Sequence, residues 1–228
     1  MCIIAIKPKG KKMFTDDQLR TMFNSNPDGC GYMYVYDGKV AVRKGFMAIN
    51  ELLDDLKKNG QIENATEKNI VFHFRIGTSG FYDELNCHPY PIYQKNATRC
   101  RTDIAIAHNG ILHAYTPSRN SDINDTQVFI QTVLRKLKKG FQYDKDKLLL
   151  IEQIIGTNKF TILDENDKLT LIGEFITDNG YIYSNKSYMP KIQKSVSKGT
   201  ARSWIHSSFW ADDEPNEFWD DFDMRHPQ

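Results

Sequence analysis

The hydrophobic and polar positions along the chain form short apolar runs near the start, paired helical patterns in the middle and apolar runs again. The runs at 2–6, 70–74 and 104–107 are short and rich in strand-forming side chains, so they predict buried β-strands. Residues 32–43 contain two further apolar segments joined by an Asp-Gly dipeptide, which predicts a β-hairpin.

Helical patterns separate these strands. Thr15 followed by Gln18 is a capping-box pattern, and it predicts a helix that continues to about Phe23. An amphipathic pattern near 50–58, followed by Asn-Gly, predicts a second helix. Two more helices are expected, one from Thr126 to Lys139 capped by Asp125 or Asp122, and one from Lys145 to Ile155.

Apolar runs return at 159–163, 169–172 and 181–184, with turn-forming residues between them, and they predict an antiparallel meander. Strands, paired helices and strands again predict an α+β fold in which helices cover two layers of sheet. The periodic pattern ends near residue 184, so we expect one domain over residues 1–184.

The segment 185–228 has a different composition. Five basic residues lie between 186 and 202, and seven acidic residues lie between 212 and 223 among aromatic side chains. Solvated acidic tails are usually poor in aromatic residues. We therefore expect a basic linker and an acidic-aromatic tail that docks on the protein itself or on a partner.

Composition and charge exclude several classes of protein. A chain of 228 residues, 40% of them hydrophobic, is long enough for one domain with a sizeable core. The formal net charge of +1 indicates no basic surface of the kind that binds nucleic acid or membranes. No apolar run approaches the length of a membrane span, and the first run precedes its positive charges, unlike a secretory signal. We therefore expect a cytoplasmic protein with no membrane partner and no direct nucleic-acid binding.

The four cysteines, at positions 2, 30, 87 and 100, form no CxxC pair and predict neither a disulfide framework nor a zinc site. Cys2 follows Met1, which is normally removed when the next side chain is small. The mature chain is then expected to begin with a thiol beside a free α-amino group. An α-amino group titrates near pH ~8 and can serve the thiol as its base. Taken alone, Cys2 is better interpreted as an ordinary strand residue.

Three other positions have side chains suited to binding an amino acid or stabilising a charge. Arg75 follows an apolar strand, and its planar guanidinium suits a carboxylate, although a structural ion pair is the simpler interpretation. Asn109 and Gly110 follow another strand, where an amide and a backbone N–H can hold an oxyanion, although Asn-Gly turns are common. Asp125 begins a predicted helix and can accept from an ammonium group or cap the helix.

Six short motifs occur in a particular order along the chain: Met1-Cys2, Asn26 to Gly31, His73 to Gly80, Asn86 to Pro89, His108 to Gly110, and Asp125 to Gln127. Their order and spacing resemble the class II glutamine amidotransferases, which are N-terminal-nucleophile hydrolases. The resemblance covers roughly residues 1–135. Two departures are Ile3, where many members have glycine, and the Ile76-Gly77 pair after the arginine.

The resemblance implies a four-layer αββα sandwich of the N-terminal-nucleophile hydrolase type. It also implies that Cys2 attacks the side-chain amide of glutamine, with Asn109 and the Gly110 amide as oxyanion hole. By the same similarity, the substrate is bound by Arg75, Ile76, Thr78, Ser79 and Asp125, with Asp122 as a possible substitute for Asp125. No phosphate-binding glycine motif and no metal-ligand spacing occur, so no cofactor and no metal are expected, and His88 and His108 are interpreted as structural.

Three functions remain open from the sequence. The first is a glutaminase that releases glutamate and ammonia, with the ammonia passing to a separate acceptor synthase. The second is a stand-alone amidase or γ-glutamyl hydrolase acting on a small γ-glutamyl compound. The third is a catalytically silent binding or regulatory protein. It is the least expected, because the four principal residues, Cys2, Arg75, Asn109 and Asp125, are all present.

Overall fold

The computed structural model describes residues 2–59, 62, 66–77 and 80–190. These residues form a mixed α/β fold with two antiparallel sheets. In spatial order, the larger sheet contains β10 (Ile176–Asp178), β11 (Tyr181–Tyr183), β1 (Ile3–Lys7), β4 (Ile70–Phe74), β2 (Cys30–Tyr36), β3 (Lys39–Phe46) and β6 (Arg99–Thr102). The smaller sheet contains β5 (Tyr90–Pro91), β7 (Ile104–Asn109), β8 (Lys159–Asp164) and β9 (Leu169–Ile172). The helices are α1 (Asp16–Ser25), α2 (Ile49–Lys58), α3 (Asp125–Thr132) and α4 (Lys145–Ile155).

Strand β1 lies inside the larger sheet, and all five of its residues are buried. This confirms the strand expected from the first apolar run. Ile3 pairs with Phe74 of the antiparallel strand β4. Because of this register, the residue before β1 and the residue after β4 lie side by side at one end of the sheet.

Two local expectations are confirmed in detail. The Asp37-Gly38 dipeptide joins β2 to β3, and both residues have positive φ angles of 49° and 64°, as a tight hairpin turn requires. The capping box of α1 is also formed. The Thr15 hydroxyl accepts from the Gln18 N–H (3.2 Å), and the Gln18 side chain accepts from the Thr15 N–H (2.9 Å).

Buried apolar side chains form three clusters. The first joins α1 and α2 to one face of the larger sheet, and the second joins α3 and α4 to the smaller sheet. The third contains side chains of both sheets, including Ile4 from β1, Met33 from β2 and Ala107 from β7. Alternation along β1 explains this division, because Ile3 belongs to the first cluster and Ile4 to the third.

The helix expected over residues 126–139 is shorter than predicted. Helix α3 ends at Thr132, and a separate 3₁₀ turn covers 134–136. Within this turn the Arg135 guanidinium donates to the carbonyls of Ile92 and Gln94, both at 2.6 Å. These tertiary contacts draw the segment out of helical geometry. The predicted cap is also wrong, because the side chain of Asn124 caps α3.

The single meander expected over residues 159–184 is wrong. Strands β8 and β9 pair with each other in the smaller sheet, whereas β11 pairs with β1 and β10 in the larger one. The third expected strand therefore crosses from one sheet to the other. Its position is fixed by contacts distant in sequence, such as the Ala5–Tyr183 pair and the Ser184 N–H bond to the Ile4 carbonyl (2.9 Å).

Residues beyond the expected boundary at 184 still contact the domain. The Asn185 side chain donates to the Cys2 carbonyl (2.6 Å), and the Tyr188 ring stacks on Tyr183 with centroids 3.8 Å apart. Most of the expected linker and the acidic-aromatic tail lie outside the described residues. In the part of the chain that is described, no helix is both long and apolar enough to cross a membrane.

Candidate active site

A small cleft lies at the end of β1, beside Cys2. Its volume is about 20 Å³, which is room for about one water molecule and far below the range of about 300–1,000 Å³ for pockets that bind drug-sized ligands. An amino acid therefore enters this cleft only if its walls move apart. The cleft is lined by residues from five separate parts of the chain: Cys2, Arg75, Ile76, His88, His108, Gly110, Asn124, Asp125 and Thr126.

The Cys2 thiol is partly buried against the backbone of Ile76. The Ile76 N–H donates to Sγ (3.3 Å), and the thiol donates to the Ile76 carbonyl (3.4 Å). Burial raises the pKa of Cys2, while the Ile76 hydrogen bond and the charge of Arg75 act in the opposite direction. Because the net shift is upward, Cys2 is a thiol at neutral pH and needs a base to become a nucleophile.

Arg75 lies at the end of β4 and is 3% exposed. Its backbone continues the pairing with the turn before β2, donating to the Gly29 carbonyl (2.8 Å) and accepting from the Asp28 N–H (3.0 Å). Its guanidinium donates to the Phe81 carbonyl (3.2 Å). The Asp28 carboxylate in turn accepts from the Gly77 N–H (2.8 Å), which fixes the backbone that follows. The Asn-Pro-Asp-Gly turn thus supports the segment that carries Arg75.

Asp125 is the first residue of α3 and lines the cleft. One carboxylate oxygen accepts from the Leu112 N–H (2.7 Å) and the other from the Thr126 N–H (2.8 Å). The helix cap is its neighbour Asn124, whose side chain accepts from the Gln127 N–H (3.1 Å). Asp125 is therefore not needed as a cap. Asp122, the alternative considered from the sequence, lines a different cleft with Asp83, Lys95 and Arg135.

Gly110 follows β7, and its backbone lines the cleft. Its φ angle is +144°, and a Cβ at this position would lie 2.6 Å from Cγ of Asn158. Only glycine fits such a position without displacing a neighbour. Asn109 is placed differently, because its side chain is not among those lining the cleft. Its amide nitrogen donates instead to the Ser184 hydroxyl (2.8 Å).

Three buried histidines lie at the cleft, and two of them, His88 and His108, line it. The His88 ring lies between His73, with centroids 4.3 Å apart, and His108, with centroids 6.2 Å apart. Burial is the main cause that lowers the pKa of all three, to about 3 for His73. The rings are therefore neutral at physiological pH. No group of three or more His, Cys, Asp or Glu side chains suited to a metal occurs within the described ranges.

The sequence did not identify three residues that support this site. Ser184 holds the Asn109 amide and also accepts from the Ile4 N–H (2.8 Å), but nothing in its local sequence marks it. Asn124 could have been found, because asparagine is as good an N-cap as aspartate. Thr126 lines the cleft beside Asp125. Two expected pocket residues, Thr78 and Ser79, lie outside the described residues.

Two solved structures match the chain at low sequence identity. The glutamine phosphoribosylpyrophosphate amidotransferase from B. subtilis, in complex with ADP and GMP, matches with a TM-score of 0.46 and 19% identity over 81% of this chain and 42% of that one. A structure described as the allosteric regulatory enzyme of purine biosynthesis matches with a TM-score of 0.51 and 18% identity over 80% of this chain and 41% of that one. The second match shows a shared fold, and the chain spans about two fifths of the length of either protein. No family model and no curated protein sequence matches the chain.

Proposed function

We propose that this protein hydrolyses the side-chain amide of L-glutamine to glutamate and ammonia through a thioester on Cys2. The proposal rests above all on one observation. Cys2, Arg75, Gly110 and Asp125 come from four distant segments and line a single small cleft. The shared fold with a known solved structure is consistent with this proposal but does not by itself specify the reaction.

The charges of the cleft suit the head group of an amino acid. The Arg75 guanidinium is always positive and can bind an α-carboxylate through two parallel hydrogen bonds. The Asp125 carboxylate lies on the same cleft and can accept from an α-ammonium group. When Arg75 binds the α-carboxylate of glutamine and Asp125 binds its α-ammonium group, the glutamine side chain extends away from both residues. We propose that its amide carbon then lies against Cys2.

The chemistry proceeds in two steps. After removal of Met1, the α-amino group of Cys2 takes the thiol proton as Sγ attacks the amide carbon. The C–N bond then breaks, the amine gives its proton to the leaving nitrogen, and ammonia departs, leaving a γ-glutamyl thioester. A water molecule, deprotonated by the same amine, attacks the thioester. Glutamate leaves, and the thiol is restored.

The negative oxygen that forms in each step needs hydrogen-bond donors. We assign these to the Gly110 N–H and the side-chain amide of Asn109. One N–H of the Asn109 amide is held by Ser184, which fixes the plane of the amide. Because the Asn109 side chain does not line the cleft in this conformation, its second N–H reaches the oxyanion only if the side chain turns towards Cys2 when glutamine binds. Loss of one such donor typically slows acyl transfer by about 10²–10³-fold.

We propose that the two sheets and their helices form a four-layer αββα sandwich. The three apolar clusters are those expected for a four-layer αββα sandwich, with one cluster under each helical layer and one between the sheets.

We also propose that the ammonia is consumed by a separate acceptor enzyme. The acidic-aromatic tail at 203–228 is our candidate for its recruitment.

Steady-state hydrolysis tests this function. The protein, its Cys2→Ala variant and a Cys100→Ala control are assayed for glutamate release from glutamine and from several other γ-glutamyl amides. Cys100 is a suitable control because it is also a partly buried free cysteine. We expect activity on glutamine that Cys2→Ala abolishes and Cys100→Ala retains. Strong activity on another γ-glutamyl amide alone would favour the stand-alone hydrolase. Absence of turnover on every amide, with and without candidate acceptor enzymes, would contradict both enzymatic functions.

A further inference from the structure

A continuous chain of hydrogen bonds lies behind the cleft and connects two of its walls. His88 Nε2 lies 3.2 Å from the Thr126 hydroxyl, which lies 2.7 Å from His108 Nδ1. His108 Nε2 lies 3.0 Å from Oδ1 of Asn158. The Asn158 amide nitrogen donates to the Ile155 carbonyl at the end of α4 (2.6 Å). His88, His108 and Thr126 each lie in one of the sequence motifs, but the proposed reaction gives none of them a role.

The direction of every hydrogen bond follows from the last acceptor. The Ile155 carbonyl can only accept, so Asn158 turns its NH₂ group towards it and its oxygen towards His108. His108 Nε2 must then carry a proton. Because burial lowers the pKa of His108, the ring is neutral, and its Nδ1 is an acceptor.

The same reasoning continues to the other end of the chain. The Thr126 hydroxyl has one proton, which it donates to His108 Nδ1, and its oxygen accepts from Nε2–H of His88. The contact from Thr126 to the Asp125 carboxylate is longer, at 3.4 Å, and does not compete for that proton. His73 Nε2 lies 2.9 Å from the His108 carbonyl and must also be a donor. All three histidines are therefore Nε2–H tautomers.

Two members of this chain, Asn158 and Thr126, contact the cleft residues Gly110 and Asp125, to which the proposed reaction gives the oxyanion and the ammonium. Asn158 packs so closely against Gly110 that a Cβ there would collide with it. The backbone N–H of Thr126 donates to the Asp125 carboxylate (2.8 Å). One ordered set of hydrogen bonds thus connects the backbone proposed to hold the oxyanion with the residue proposed to hold the ammonium.

We propose that Thr126 is a positioning residue, whose hydroxyl donates to Nδ1 of His108 and thereby holds the ring and, through it, Asn158 against Gly110. The tautomer assignment stands independently of any activity. The kinetic consequence rests on the proposed function. Because Thr126 reaches the oxyanion site through His108 and Asn158, its hydroxyl affects the chemical step. The backbone N–H that supports Asp125 is unaffected by a side-chain substitution, so binding of the head group changes little.

The first test is ¹⁵N NMR of the histidine rings at neutral pH, with peaks assigned from single His→Gln variants. We expect His73, His88 and His108 to be neutral and protonated at Nε2. A His108 ring protonated at Nδ1, or a charged ring, would overturn the proposal. This result is independent of turnover, so it distinguishes failure of the hydrogen-bond chain from failure of the proposed glutaminase activity.

The second test compares two substitutions at one position. Thr126→Val keeps the shape of the side chain and removes the hydroxyl, and we expect kcat to fall by about tenfold with KM for glutamine nearly unchanged. Thr126→Ser restores the hydroxyl and is expected to restore kcat. A Thr126→Val variant with unchanged kcat, or a folded Thr126→Ser variant as slow as Thr126→Val, would contradict the positioning role. If Thr126→Val does not fold, the ¹⁵N spectrum of Thr126→Ser is the remaining test. We expect His108 to be protonated at Nε2 in that variant, and protonation at Nδ1 would contradict the positioning role.

Discussion

Replacing Gly110 with alanine should destabilise the fold for two reasons, an unfavourable backbone conformation and a collision with Asn158. The residue has φ of +144°, which L-residues rarely adopt. The added Cβ would also lie 2.6 Å from Cγ of Asn158, so the Asn158 amide must retreat by about 1 Å to reach ordinary contact. That movement stretches the hydrogen bonds of Asn158 to His108 (3.0 Å) and to the Ile155 carbonyl (2.6 Å).

The expected loss of stability follows from these two costs. A residue held in a rarely populated backbone region costs about 1–3 kcal/mol. Two weakened buried hydrogen bonds add about 0.5–1.5 kcal/mol each. We therefore expect Gly110→Ala to lower the free energy of unfolding by about 2–6 kcal/mol.

Gly140→Ala is the matched control. Gly140 also has a positive φ, of +90°, but an added Cβ there meets nothing within 4 Å. It should show the backbone cost alone. Urea unfolding of both variants, followed by circular dichroism, measures the difference, which we expect to be about 1–3 kcal/mol. The Gly110→Ala/Asn158→Ala double variant should lose less stability than the two single variants lose together, because the amide that collides with the new Cβ is gone.

Equal losses in Gly110→Ala and Gly140→Ala would refute this reasoning. Such a result would mean that Asn158 moves aside without cost, so that it does not fix the Gly110 backbone. Fully additive losses in the double variant would lead to the same conclusion. Either result would also weaken the role proposed for the hydrogen-bond chain behind the cleft.

Three further predictions follow from the site. Arg75→Lys loses the planar two-pronged donor, so KM for glutamine should rise by about 10- to 100-fold with a smaller change in kcat, as measured by initial rates. Because the pKa of buried His73 is about 3 in the folded state and about 6.5 when unfolded, the unfolded chain binds the extra proton below pH 6.5. Stability should therefore fall from pH 6.5 towards pH 3, by about 1.4 kcal/mol per pH unit for this group, and urea midpoints at pH 7 and pH 5 measure the loss. Ser184→Ala leaves the buried Ile4 N–H and Asn109 amide without their acceptor, so unfolding in urea should show a loss of about 2–4 kcal/mol, and no loss would contradict that role.

Elements specified by neighbouring residues were predictable from the sequence. The hairpin at Asp37-Gly38 needs two residues that tolerate positive φ, and the sequence supplies them at the turn. The capping box of α1 depends only on Thr15 and Gln18, and both bonds form. In such cases, the determining interactions lie within a few residues, so the local pattern carries the information.

Elements specified by distant contacts were not predictable. Nothing near Tyr183 in sequence indicates that β11 pairs with β1 rather than continuing the sheet of β9. Strands β5, β6 and β10 have only two to four residues and carry no periodic signal. The early end of α3 depends on Arg135 reaching carbonyls some forty positions earlier in the chain. Pairing across the fold decides these features.

The candidate site shows the same division. Cys2 and Arg75 become neighbours because Ile3 pairs with Phe74, a register that the two apolar runs do not specify by themselves. Their selection as site residues came from the order of motifs along the chain. The hydrogen bond from Asn109 to Ser184 joins residues 75 positions apart and could be found only in the folded structure.

The central claim is that Cys2 is the nucleophile and begins the mature chain. Its most direct test is mass spectrometry of the purified protein after incubation with the glutamine analogue 6-diazo-5-oxo-norleucine, followed by mapping of the modified peptide. We predict a chain that lacks Met1 and carries one adduct, on Cys2, with no adduct in the Cys2→Ala variant. A retained Met1, or an adduct that persists in Cys2→Ala, would contradict the account.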